Sequence, residues 1–177
     1  MNRKETTKFL STLLIKERLT GRGKYWAREV SLDYGTKNVR RVDFMQFEPA
    51  GVVHVSDIEK GIFISYEVKS CKADFKSGFG RNFVTEKNYF VMPMALYKEI
   101  ANEIEHNVGV ICPIPVGKEL YDEFEKPTPL DADICWNIGC DSFVGLFVSY
   151  ICVRKFSSSL SIYSKEPGRT PFPACIP

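Results

Sequence analysis

Glu67 and Lys69 stand two residues apart in YEVKSCKADF, at the end of the apolar run GIFIS. In an extended strand alternate side chains share a face, so the two charges point one way while Tyr66 and Val68 point the other. Either they form a solvated pair or they belong to a site. Upstream lie Asp43 in RRVDF and Glu29 in AREV, each in or beside a strand-like stretch. If the strands carrying Asp43 and Glu67 pair, their carboxylates converge near a sheet edge or bend, and Glu29 can join them. Carboxylates so placed repel one another unless a cation lies between them. Magnesium, or manganese in its place, suits that role: a hard ion that keeps several waters and needs one or two carboxylates plus a substrate phosphate. Such an ion polarises a phosphoryl oxygen and lowers the pKa of a bound water, and Lys69 would position that water or neutralise developing charge. The chemistry these residue types fit is metal-assisted phosphodiester hydrolysis.

The elements that must position them can be read from periodicity. ETTKFLSTLLIKERL (5–19) puts Phe9, Leu10, Leu13 and Leu14 at helical spacing, with Thr6 or Thr7 as the expected cap, and TGRGKYW breaks the helix. The pattern then turns to period two in REVSLDY, VRRVDFMQFE and GVVHVSDIEKGIFISYEVKS, the last with a turn near Lys60-Gly61. A short helix is expected around KADFKS, a strand in KNYFVMP, a helix in MALYKEIANEIE and a strand in NVGVICPIP. The fold class implied is α/β (α+β): a mixed central sheet with hairpins, flanked by helices. Residues 115–141 read as an acidic, proline-bearing loop or insertion, FVGLFVSYICVRKF as a buried strand, and the C-terminal residues as an extended proline-rich tail. A length of 177 residues with no internal repeat suits one domain.

Composition narrows the class further. Hydrophobic residues make up 44% of the chain, enough for a core, but no run reaches the length of a membrane span. A non-membrane, intracellular, cytoplasmic protein is expected. The six cysteines show no C-x-x-C pair and only two histidines accompany them, so reduced thiols rather than a zinc site are expected. The net charge of +2 conceals an asymmetry: residues 1–41 hold eleven Lys or Arg against four acids, whereas residues 99–141 hold ten acids against two lysines. A basic segment suits a polyanion, and a mixed solvated surface is the alternative.

With these residues in view, Asp43, then Glu67-Val68-Lys69 after a hairpin, with Glu29 upstream, resembles the PD-(D/E)xK nuclease superfamily. More narrowly, the run from REVSL through RRVDF, YEVKSCKADF and NYFVMP to NVGVICP is similar to MmcB-like DNA repair proteins and related small phage proteins. The resemblance spans about residues 25–115, and Val42 stands where the motif has proline. It implies a restriction-endonuclease-like core of order αβββαβ within about 5–115, followed by a C-terminal extension. It also implies a divalent metal on Asp43 and Glu67, Lys69 assisting the attack, and Glu29 as the additional acid. Lys24, Arg28, Arg40, Arg41, Lys72, Lys76 and Arg81 are the candidate contacts to nucleic acid, DNA before RNA.

Several residues admit plainer readings. Tyr25 and Trp26 suit base stacking or the core. His54 is an ordinary strand residue or a general base, His106 sits at a helix end, and Asn82 accompanies Arg81 in GFGRN, a loop after the site. A second function class stays open: a non-catalytic binding module on the same scaffold, such as a phage counter-defence protein of the anti-CRISPR kind, whose acidic residues 99–141 meet a protein partner. Homodimerisation is compatible with either.

Overall fold

The computed structural model describes residues 1–21, 23–51 and 55–136, together with the backbone of two further strands at 151–156 and 159–161. The chain opens with helix α1 (Arg3–Leu14), which continues through a wider π turn at Ile15–Leu19. Its cap is Asn2, not Thr6 or Thr7: the Asn2 side chain accepts from the Glu5 amide at 2.9 Å and Glu5 answers the Asn2 amide at 2.8 Å, a reciprocal capping box. The helix therefore starts earlier than the apolar spacing alone indicates, and Thr6 is buried inside it.

Strands β1 (Tyr25–Leu32), β2 (Arg40–Glu48) and β3 (Ile62–Val68) follow as an antiparallel meander, as the period-two pattern predicts. Between β2 and β3 the strand expected through VVHVSDIEK is replaced in part by a helical turn, α2 (Val55–Glu59). Residues 52–54, with His54, lie outside the described residues. After β3 come α3 (Lys72–Lys76), β4 (Lys87–Val91), α4 (Met94–Ile100) and β5 (Val108–Cys112). Both β3–β4 and β4–β5 are parallel pairs, the arrangement that helical crossovers permit. These five strands form a mixed sheet with helices, an α+β architecture, and two further strands extend it to seven.

Three expectations change in detail. Helix α4 is shorter than MALYKEIANEIE suggests, because the chain tightens into a 3-10 turn at Ala101–Glu103, yet Ile104 still reaches the core. The acidic stretch after β5 contains a helix, α5 (Leu120–Glu125), and its Glu123 is buried because Lys118 and Thr128 satisfy its oxygens at 2.6–2.8 Å. Strand β6 (Ile151–Phe156) covers the end of FVGLFVSYICVRKF and pairs antiparallel with β5, and β7 (Ser159–Ser161) pairs with β6. The start of that run and the proline-rich tail lie outside the described residues.

Alternation divides the core between the two faces of the sheet. On one face Phe44, Ile64, Tyr66, Val68, Tyr89, Val91 and Ile111 pack against Leu10, Leu14 and Leu19. On the other, Phe90, Val108, Val110 and Cys112 pack under Phe75 of α3 and Leu96, Tyr97 and Ile100 of α4. No described helix is long and apolar enough to cross a membrane.

Candidate active site

The strand registers assemble the site. Arg28 pairs with Phe44 and Val30 with Val42, so Glu29 stands beside Asp43; Phe44 pairs with Tyr66, so one further step puts Asp43 beside Glu67. Glu67 in turn pairs with Phe90. Glu29, Asp43, Glu67 and Phe90 thus form one row across four strands. Two residues along, on the same face, stand Arg41 and Lys69. The antiparallel meander brings together residues 38 apart in sequence, which the E-x-K spacing alone does not reveal.

Asp43 closes the end of the β2–β3 ladder: its Oδ2 accepts the Val68 amide at 2.9 Å, a bond that fixes the direction of the carboxylate. Burial raises its pKa above the usual carboxylate value, with Glu29 adding repulsion, while the Val68 amide, Lys69 and Arg41 act in the opposite sense. Glu67 is 4% exposed and its pKa is pushed up to about 8, first by burial and then by the charge of Asp43, against which Lys69 and the Asp43 backbone work. Its Oε1 is buried and accepts no hydrogen bond. Lys69, 3% exposed, donates through Nζ to the Phe79 carbonyl at 2.5 Å and lies 6.0 Å from the centre of the Phe90 ring.

The expected third carboxylate ligand is not delivered. Glu29 sits at a left-handed backbone position, φ 55°, where the β1–β2 ladder is interrupted, and its carboxylate pairs with Arg41 at 3.2 Å while remaining more than half exposed. Among the described residues no three His, Cys, Asp or Glu side chains gather closely enough to hold a metal. Asp43 and Glu67 by themselves fit a small hard divalent cation, which needs one or two carboxylates and keeps its waters. The unsatisfied Glu67 Oε1 is an oxygen such an ion would use.

The candidate phosphate contacts divide by environment. Lys24 is engaged with the Arg18 carbonyl at 2.6 Å, Arg28 lies over the Phe44 ring at 5.8 Å, and Arg40 pairs with Asp33 at 2.6 Å. Lys72, Lys76 and Arg81 each face an acid: Glu99 at 2.5 Å, Glu103 at 3.7 Å and Glu105 at 3.4 Å. Trp26, partly buried, packs against the Phe44 ring at the margin of the core, whereas Tyr25 is exposed. His106 is exposed in the turn before β5. The thiols of Cys71, Cys112 and Cys135 are free.

Sequence reasoning missed the part of the loop that covers the site. Gly80 has φ 70°, and a Cβ there would fall 2.2 Å from Glu67 Oε2 and 3.0 Å from Lys69 Nζ, so only glycine lets the main chain approach this closely. The signal available was a phenylalanine between two glycines about ten residues beyond E-x-K. The loop is tied at its far end by Asn82, which donates to the Arg41 carbonyl at 2.9 Å, and by Arg81, stacked 4.3 Å over Phe75.

No family model and no curated protein matches the chain. Among solved structures it is similar to a protein of unknown function from Silicibacter pomeroyi, at 17% identity and a TM-score of 0.42, over 63% of this chain and 64% of that one. The chain therefore spans less than two thirds of that protein's length.

Proposed function

We propose that the protein is a divalent-cation-dependent nuclease of the PD-(D/E)xK type that hydrolyses phosphodiester bonds in DNA. The observation that carries this reading is the row in which Asp43 and Glu67 meet on adjacent strands beside a buried lysine, with one Glu67 oxygen unsatisfied. The order helix, three antiparallel strands, helix, parallel strand supports it, since αβββαβ is the core that the motif implies, with α2 as an added turn.

Asp43 and Glu67 would hold the cation. When bound, magnesium or manganese polarises the phosphoryl oxygen and lowers the pKa of a coordinated water. Asp43 is preset for the task by the Val68 amide, which holds one oxygen and leaves the other available. Glu67 keeps a proton near neutral pH and must release it before both its oxygens can act as ligands. Lys69, once off the Phe79 carbonyl, presents a positive charge to the phosphate as negative charge develops there. Phe90 and Phe75 close the floor beneath and keep water from the buried end of the lysine.

Labelled single-stranded and duplex DNA, incubated with magnesium, manganese or chelator, tests the reading. Cutting is expected only with a cation and is expected to fall at least about 100-fold in Asp43→Asn and Glu67→Gln, a loss of the size that metal and electrostatic catalysis supply. Cutting that persists in both variants removes these residues from the mechanism. Tight DNA binding with no cutting under any of these conditions overturns hydrolysis in favour of the binding module.

A further inference from the structure

The same residue that restrains Lys69 carries the most exposed aromatic ring near the site. The Phe79 carbonyl accepts from Lys69 Nζ at 2.5 Å, while the Phe79 ring is 80% exposed. Its neighbours Gly78 and Gly80 both have left-handed backbones, φ 75° and 70°, and Gly80 lies against Glu67 and Lys69. Glycines at both flanks give this one residue rotational freedom that a side chain would remove. A phenyl ring left in water among serine, glycine, arginine and asparagine gains by covering its face, and a nucleobase is a flat group that does so without regard to sequence.

We propose that Phe79 reads the substrate: an unpaired base stacks on its ring, and that stacking draws the Phe79 carbonyl away from Lys69, releasing the ammonium to the phosphate. The inference rests on the nuclease reading and names its substrate class, a strand with unstacked bases. Regular duplex, whose bases already stack on one another, offers the ring nothing to cover. Ring and carbonyl belong to one residue held between two glycines, so a stack that shifts the backbone of Phe79 about them carries the carbonyl with the ring. A base–aromatic stack and a single charge-assisted hydrogen bond are of similar strength, so the exchange is close to balanced and responds to the presence of a base.

Two measurements on the full chain test this. In chelator, Phe79→Trp is titrated with oligothymidine and with an abasic strand of equal length. The emission added by the substitution is expected to be quenched by the first and not by the second. With magnesium, Phe79→Ala is expected to cut single strands about tenfold more slowly than the parent while its duplex cutting changes less than about threefold, and Phe79→Trp is expected to restore the single-strand rate. Equal quenching by both strands, or single-strand cutting indifferent to Phe79→Ala, overturns the inference while leaving the nuclease reading intact. Quenching specific to bases in a protein that cuts nothing supports the base contact and sinks the nuclease reading instead.

Discussion

Glu67 is neutral in the folded chain at pH 7 because burial and the Asp43 charge both penalise its ionised form, raising its pKa from 4.5 to about 8. The sign of its effect on stability follows. An unfolded chain loses this proton near the ordinary carboxylate value, whereas the folded chain keeps it, so the folded state binds more protons across that interval and stability declines as pH rises. The contribution is fully present below about 4.5 and is lost through about 8. In chelator, the unfolding free energy of the parent protein should therefore fall between pH 5 and 8.5 relative to that of Glu67→Gln, by a margin on the order of a few kcal/mol at the alkaline end, and its melting temperature should fall with it. Asp43, also raised, leaves a smaller residual slope of the same sign in the variant. Magnesium added at pH 7.5 should stabilise the parent and release about one proton per chain, and should do neither in Glu67→Gln. Parallel melting curves for the two proteins at every pH would show that the Glu67 carboxyl is not the buried, protonated group described.

The elements around the site are bound to one another by charge as well as by packing. Lys72 and Lys76 of α3 face Glu99 of α4 and Glu103 of the turn after it, and Arg81 faces Glu105. These pairs are half exposed or nearly so, so each adds little stability, but each acid occupies a cation that a phosphate would otherwise meet. Glu99→Ala with Glu103→Ala should leave the melting temperature nearly unchanged, tighten DNA binding at low salt, and steepen the logarithmic salt dependence of binding by up to about two. Unchanged affinity across the salt series would remove α3 from the DNA contact surface. Such pairing between elements marks where sequence reading runs out. The period-two pattern carried β1, β2 and β3, and the E-x-K spacing carried the placement of Glu67 and Lys69 on one face, because both depend on near neighbours along the chain. That Glu29 would spend its charge on Arg41 was not legible, since it depends on a left-handed residue interrupting the ladder. Helix α5 was hidden for a related reason: an acidic run reads as solvated until Lys118 and Thr128 arrive to bury Glu123. The turn at Val55–Glu59 has its two β-branched residues, Val55 and Ile58, three apart, a helical spacing too short to stand out beside the β-branched residues that precede it, and local propensity does not separate the two.

Across the whole molecule, the alternation along β2 and β3 assigns stability and chemistry to opposite faces of one sheet. Phe44, Tyr66 and Val68 lean onto α1, while Asp43, Glu67 and Lys69, their immediate neighbours, look toward α3 and the loop after it. This division predicts that two core truncations of similar cost will have different consequences for the site. Leu14→Ala removes a side chain 1% exposed on the α1 face, and Phe90→Ala removes one fully buried in the row of Glu67 and beneath Lys69. Each should cost about 2–5 kcal/mol, from lost burial and the cavity left behind. Leu14→Ala should leave the pH slope of stability and the proton released on magnesium addition unchanged, because it loosens packing on the face of the sheet opposite the carboxylates. Phe90→Ala opens space beside Glu67 that water can enter, which relieves the desolvation holding the proton on. Its pH slope should flatten and its proton release at pH 7.5 should shrink. A flattened slope in Leu14→Ala as well would mean that the two faces are coupled through the strands, and that the raised pKa of Glu67 belongs to the packing of the whole sheet rather than to the aromatic floor on its own side.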